Sequence, residues 1–155
     1  MRLLSLLAIL GTIFFVFQAN AAFFGLFDRS IENVTAQEGN IIINTSALSK
    51  GSSRHYRYQE GGKSIKFFVV RDGQNTIRAA LDACDVCWKS SKGYKLADGA
   101  MMCVSCGMKF PLNRIGIASG GCNPHPFRFR TENNFLLITA QELMLGANYF
   151  PENNR

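Results

Sequence analysis

Cys84-Asp85-Val86-Cys87, fifteen residues, Cys103-Val104-Ser105-Cys106, then fifteen more to Cys122 within Gly120-Gly121-Cys122-Asn123-Pro124-His125-Pro126: this stretch holds all five cysteines of the 155-residue chain. Two cysteines three apart wrap a tight turn that points both sulfurs at one place, and the intervening amides can donate to the thiolates. Two such turns brought together supply four sulfurs, a set that suits tetrahedral zinc or iron. The interval of fifteen between the pairs falls in the range of two-knuckle zinc sites. Glycine at position 107 frees the backbone that closes the second turn. The residues alone leave zinc, an iron–sulfur cluster and a rubredoxin-like single iron open, since all three use the same thiolates. Oxidation of the pairs to disulfides is the metal-free alternative. Five is odd, so complete internal pairing is excluded. A thioredoxin-like redox role lacks the βαβ surroundings that motif requires.

Cys122 and His125 form a second set of candidate ligands. Gly120 and Gly121 loosen the chain before Cys122, while Pro124 and Pro126 stiffen it around His125. Met101, Met102 and Met108 flank the second pair and, with Cys122 and His125, offer a soft copper site, although methionines of this kind more often fill a core. His55 is a further, weaker candidate. Asp82 and Asp85 bracket Cys84 and read as turn caps or solvated charges.

The surrounding sequence is β-patterned. Ile41–Thr45, His55–Tyr58 and Ile65–Val70 read as strands, with Glu60-Gly61-Gly62-Lys63 as a hairpin turn between the last two. Asp72-Gly73 turns into Thr76–Leu81, which leads straight to Cys84. Lys92–Lys95 and Ala97–Ala100 mark a short hairpin between the cysteine pairs. Phe127–Arg130 alternates, Asn133-Asn134 turns, and Phe135–Ile138 is a last strand. Thr139-Ala140-Gln141-Glu142 matches a capping box and opens one short helix with Leu143 and Leu145, stopped by Gly146–Asn148. The expected fold is a β-dominated small domain of short antiparallel strands, hairpins and metal-thiolate knuckles, with one short C-terminal helix.

Residues 1–21 carry a basic start, an apolar run and Ala19-Asn20-Ala21, the three parts of a secretory signal. Continued through residues 3–27, the same stretch is nearly long enough for a membrane anchor. Residues 22–52 read as a lead-in, irregular up to Asn40, and 53–150 as the cysteine-rich domain. Either N-terminal reading places that domain on the exported, periplasmic side. The net charge of +6 is spread over scattered arginines with no nucleic-acid motif, so no nucleic-acid partner is expected. With two histidines, no Ser-His-Asp context and no phosphate loop, substrate chemistry of its own is not expected, and the chain reads as a non-enzyme.

Phe67–Gly73, Leu81–Cys87, Gly93-Tyr94, Cys103–Gly107, Phe110, Ile115-Gly116 and Gly120–Pro124 together resemble the FtrD-like family of membrane iron–sulfur proteins, over roughly Arg54 to Phe150. The resemblance implies an iron–sulfur cluster held by Cys84, Cys87, Cys103 and Cys106, with Cys122 a candidate further ligand. Some members of that family are encoded with iron-uptake permeases, which implies a membrane permease or redox protein as partner and electron transfer or an accessory role in iron uptake. Many relatives carry this domain after several membrane spans, whereas this chain has one hydrophobic segment. A zinc-stapled interaction module and a periplasmic copper or iron chaperone are the alternatives.

Overall fold

A computed structural model describes residues 30–151. The segment read as signal or anchor lies outside them, and among the described residues no helix is long and apolar enough to cross a membrane.

Among the described residues, ten strands form three sheets. The middle layer contains β1 (Ile31–Val34), β3 (Ser52–Glu60), β4 (Lys63–Arg71) and β5 (Ile77–Leu81), ordered β1-β3-β4-β5. One outer layer is β2 (Asn40–Asn44), β10 (Phe135–Thr139) and β9 (Arg130–Glu132), in that order. The other is the meander β6 (Tyr94–Ala97), β7 (Ala100–Cys103) and β8 (Lys109–Pro111). A short helix, α1 (Ala140–Met144), follows β10 directly. The domain is β-dominated with one short helix, as its patterning predicts.

The continuous apolar run of β4 explains the layering. A strand buried on both faces loses its polar alternation, and Phe67, Phe68, Val69 and Val70 are all fully buried. Ile65, Phe67 and Val69 face one core with Tyr56, Tyr58, Ile41, Leu136 and Leu143. Phe68 and Val70 face the second core with Tyr94, Met101, Phe110, Cys84 and Cys103. The cysteine layer is thus packed on one side of β4 and the scaffold layer on the other.

Turn chemistry fixes the registers. Glu60 pairs with Lys63 across Gly61 and Gly62, both at positive φ, as a two-residue hairpin with matched twist requires. Asp98 and Gly99 repeat this between β6 and β7. Between β4 and β5 the buried Asp72 organises the loop. Its Oδ1 accepts the N–H groups of Gln74 (2.9 Å) and Thr76 (2.8 Å), and Oδ2 accepts Arg78 Nε at 2.8 Å. Burial alone would raise its pKa, but the bonds from Arg78 and the two amides outweigh it and hold the carboxyl below its usual range. The folded state thus favours the ionised form, so the contribution is full at neutral pH and is lost as pH falls below the unfolded value of 3.8. Asp72→Asn is expected to cost about 2–3 kcal/mol at neutral pH, read in urea melts, with the gap to the parent closing in acid. Identical midpoints at neutral pH would remove Asp72 from this role.

Three features depart from the sequence expectation. The stretch up to Asn40, read as irregular, contains β1, which pairs parallel with β3; parallel pairing leaves no hairpin signal next to the strand. Phe127–Phe129 lies outside any sheet, and only Arg130–Glu132 joins a ladder. The alternation there serves packing, since Phe127 lies edge-on to Phe67. The capping box is half formed: Thr139 Oγ1 accepts the Glu142 N–H at 3.2 Å, but Glu142 Oε1 accepts the N–H of Arg128. In the same element Leu143 lies within α1 and is buried, while Leu145, read as part of the helix, is its exposed C-cap.

Candidate metal centre

Both Cys-x-x-Cys turns hang from the ends of strands. β5 runs into Cys84, whose Sγ accepts the Cys87 N–H at 3.2 Å. A 3-10 turn at Trp88–Ser90 follows at once. Cys103 ends β7, and the next turn is closed by Gly107, at φ 77°, donating to the Cys103 carbonyl. Cys103 N–H donates to Met108 O at 2.9 Å, starting the β7–β8 return. β8 was not legible in the sequence, because its three residues around Phe110 show no period.

The third loop is pinned from both sides. His125 N–H donates to Ala83 O and its carbonyl accepts from Leu81 N–H, both at 2.9 Å, so the loop runs alongside the chain entering the first knuckle. Tyr94, buried between the knuckles, donates its hydroxyl to Cys122 O at 2.6 Å. The fold therefore brings Cys122 in among the paired cysteines.

All five thiols are unpaired, and they converge in two groups that share one member. Cys84, Cys87 and Cys103 lie with all sulfurs within 4.8 Å of one another, and so do Cys87, Cys106 and Cys122. The Cys87–Cys122 separation is 3.7 Å and Cys106–Cys122 is 3.5 Å. A metal–sulfur bond of about 2.3 Å in a tetrahedron sets neighbouring sulfurs roughly 3.8 Å apart, so these separations match thiolates on one ion. Cys84 and Cys103 are buried, whereas Cys106 is exposed. The donor set fits a thiophilic metal or an iron–sulfur cluster, which would be held by these thiolates.

Their electrostatics supports the same conclusion. Burial opposes ionisation of Cys84, but hydrogen bonds from Tyr94 and the Cys87 and Val86 amides hold its thiol below the ordinary value. The Met108 amide does the same for Cys106. Burial pushes Cys87, Cys103 and Cys122 up to about 11. Crowded thiolates cannot all carry charge without a cation among them. Metal uptake must then displace protons from the raised thiols, and apparent affinity rises with pH.

His125, predicted as a ligand, belongs to neither group. Its Nδ1 meets the Tyr149 hydroxyl at 3.0 Å and Asp85 Oδ1 at 3.4 Å, and Tyr149 donates to the same carboxylate at 2.5 Å. Burial and the bond to Asp85 raise the Tyr149 hydroxyl to about 12. His55 is buried, with Nε2 3.2 Å from Tyr94 O and 3.9 Å from Asp82 Oδ1. Met101 is a core residue and Met108 is exposed.

Tyr94 is the residue that spacing rules missed. Its signal was an aromatic with a polar tip lying between the pairs, next to a glycine. Gly93, at φ 63°, has no room for a Cβ because the Asp82 carboxylate occupies that place and accepts the Tyr94 N–H at 2.7 Å. Tyr94→Phe keeps the ring and removes the tie to Cys122. We expect metal release to a chelator to speed up about tenfold, equivalent to roughly 1.4 kcal/mol, with the fold intact. An unchanged release rate would show that the Cys122 loop is held by other contacts.

A β-layered domain presenting convergent thiols on backbone knuckles has the donor set of a metal-thiolate protein. A family profile described as membrane iron-sulfur containing protein FtrD-like matches residues 48–150, and the chain belongs to that family. No curated protein and no solved structure matches it.

Proposed function

We propose that this protein is an exported iron–sulfur protein that passes electrons to or from a membrane partner, as an accessory of iron uptake. The observation that carries this reading is the convergence of five thiols, four of them on amide-bearing knuckles, in a chain of an iron–sulfur family. Thiolates fixed by β5, β7 and their turns change little in position when a bound centre changes valence, and burial with amide donation sets its potential. Cys84, Cys87, Cys103 and Cys106 are the proposed cluster ligands and Cys122 a fifth thiolate. His125 is proposed to act through Asp85 and Tyr149 beside the first knuckle. The exposed Cys106 end gives a partner protein, such as a permease or redox protein, its approach. Residues 1–21 as signal, or 3–27 as inner-membrane anchor, would place the domain in the periplasm.

The sulfur separations favour a second reading in which a single tetrahedral ion, zinc or iron, replaces the cluster; zinc would make the domain a stapled interaction module. Anaerobic purification, elemental analysis and visible spectra before and after dithionite separate these. Iron with sulfide and a bleachable band supports the first reading, and iron alone supports a mononuclear centre. Stoichiometric zinc in a colourless, redox-silent sample overturns electron transfer.

A further inference from the structure

A cavity of about 630 Å³ opens beside the buried thiols, with Cys84, Cys87 and Cys103 in its lining. Cys106 and Cys122 do not line it. The thiol cluster therefore faces a cavity on one side and presents the exposed Cys106 on another. The volume is that of a small-molecule site.

The lining also carries a cation and hydrogen-bond donors. Lys66 belongs to it with Ser64 and the glycines of the β3–β4 turn. Among the described residues Lys66 has no ion-pair partner. Directly across the ladder from Lys66 stands Arg57, so the two share a face. Arg57 Nε is buried and has no hydrogen-bond partner among the described residues. Arg57 stands behind the lining and is not part of it, so Lys66 is the cationic group of the cavity, and an ammonium there without an ion-pair partner calls for an anion. The one carboxylate in the lining, Asp82, is already turned to the Tyr94 N–H and toward His55. The walls also include Trp88, Tyr149 and Phe150, which suit a flat ring.

We propose that this cavity binds a small aromatic carboxylate, its carboxylate at Lys66 and its ring against the aromatic walls. This proposal does not rest on the redox reading, because occupancy can be read whatever metal the thiols hold.

Trp88 is the only tryptophan of the chain, so the full-length protein reports binding through its own fluorescence. Benzoate is the probe, benzamide its neutral isostere, and acetate the carboxylate without a ring. The expected result is a saturable change with benzoate, at least tenfold weaker with either control, and at least tenfold weaker in Lys66→Met. Lys66→Arg should restore binding and Lys95→Met should leave it unchanged. If Lys66→Met fails to fold, Ser64→Asp places a negative charge in the same lining and should abolish the response. No saturable change, an equal response to benzamide, or full binding in the folded Lys66→Met or Ser64→Asp protein overturns the proposal.

Discussion

Cys87→Ser is expected to strip metal from the whole cluster, whereas Cys122→Ser should leave a substantial part in place. Cys87 is the one thiol common to both convergent groups, so its loss removes a ligand from each. Cys122 belongs to the outer group alone, and its loss leaves Cys84, Cys87 and Cys103 together with Cys106. Soft thiolate ligands dominate affinity for these metals, and losing a shared one lowers affinity by orders of magnitude. Metal per protein, measured after gel filtration, is the readout. Near-unfolded behaviour between the knuckles should accompany metal loss in Cys87→Ser, because binding energy here is also folding energy. Cys103→Ser should resemble Cys87→Ser, since it opens the buried group. Equal metal retention in Cys87→Ser and Cys122→Ser would remove the shared role assigned to Cys87.

Gly116→Ala is expected to destabilise the protein by about 2–4 kcal/mol, the range of strained or overpacked core substitutions. Gly116 sits at φ 73°, and a Cβ there would stand 2.6 Å from the backbone carbonyl oxygen of Ala79. That oxygen belongs to β5, whose position is fixed by its ladder with β4, so it cannot retreat as a flexible side-chain end would. The left-handed backbone adds about 1–2 kcal/mol for any residue with a Cβ. Gly120 at φ 86° has open space around it, so Gly120→Ala should incur only the conformational part. Urea melts of the two variants compare steric and backbone costs directly. Equal destabilisation would mean that the loop at Gly116 swings away from β5.

What could be read from the sequence follows from how local each feature is. β4, its hairpin with β3, and the Asp98-Gly99 turn announce themselves because apolar runs and turn residues act on their immediate neighbours. The thiol turns were legible for the same reason. β1 was not, because its partner β3 lies beyond an intervening strand and its own four residues are half-exposed. Spacing named the five cysteines but not their division into two groups. That division depends on how far the Cys122 loop is drawn in, and the draw comes from Tyr94, Ala83 and Leu81. For His125 the same loop geometry matters: with its backbone pinned to Ala83 and Leu81, the ring meets Asp85 and Tyr149. The cavity was equally hidden, since its walls come from a hairpin tip, a knuckle and the C-terminal turn.

The ladder between β2 and β10 has a consequence for the order of folding. It joins the first and last parts of the domain, so one outer layer cannot form until nearly the whole chain is available. Pairings this distant in sequence close slowly. The thiol turns, by contrast, are local and can form early. During that interval Cys84 and Cys103 lack the finished scaffold that buries them, and in an oxidising setting they compete for one another as disulfides. Metal supplied while the chain is still folding should raise the yield of native protein, whereas metal added after oxidation should not.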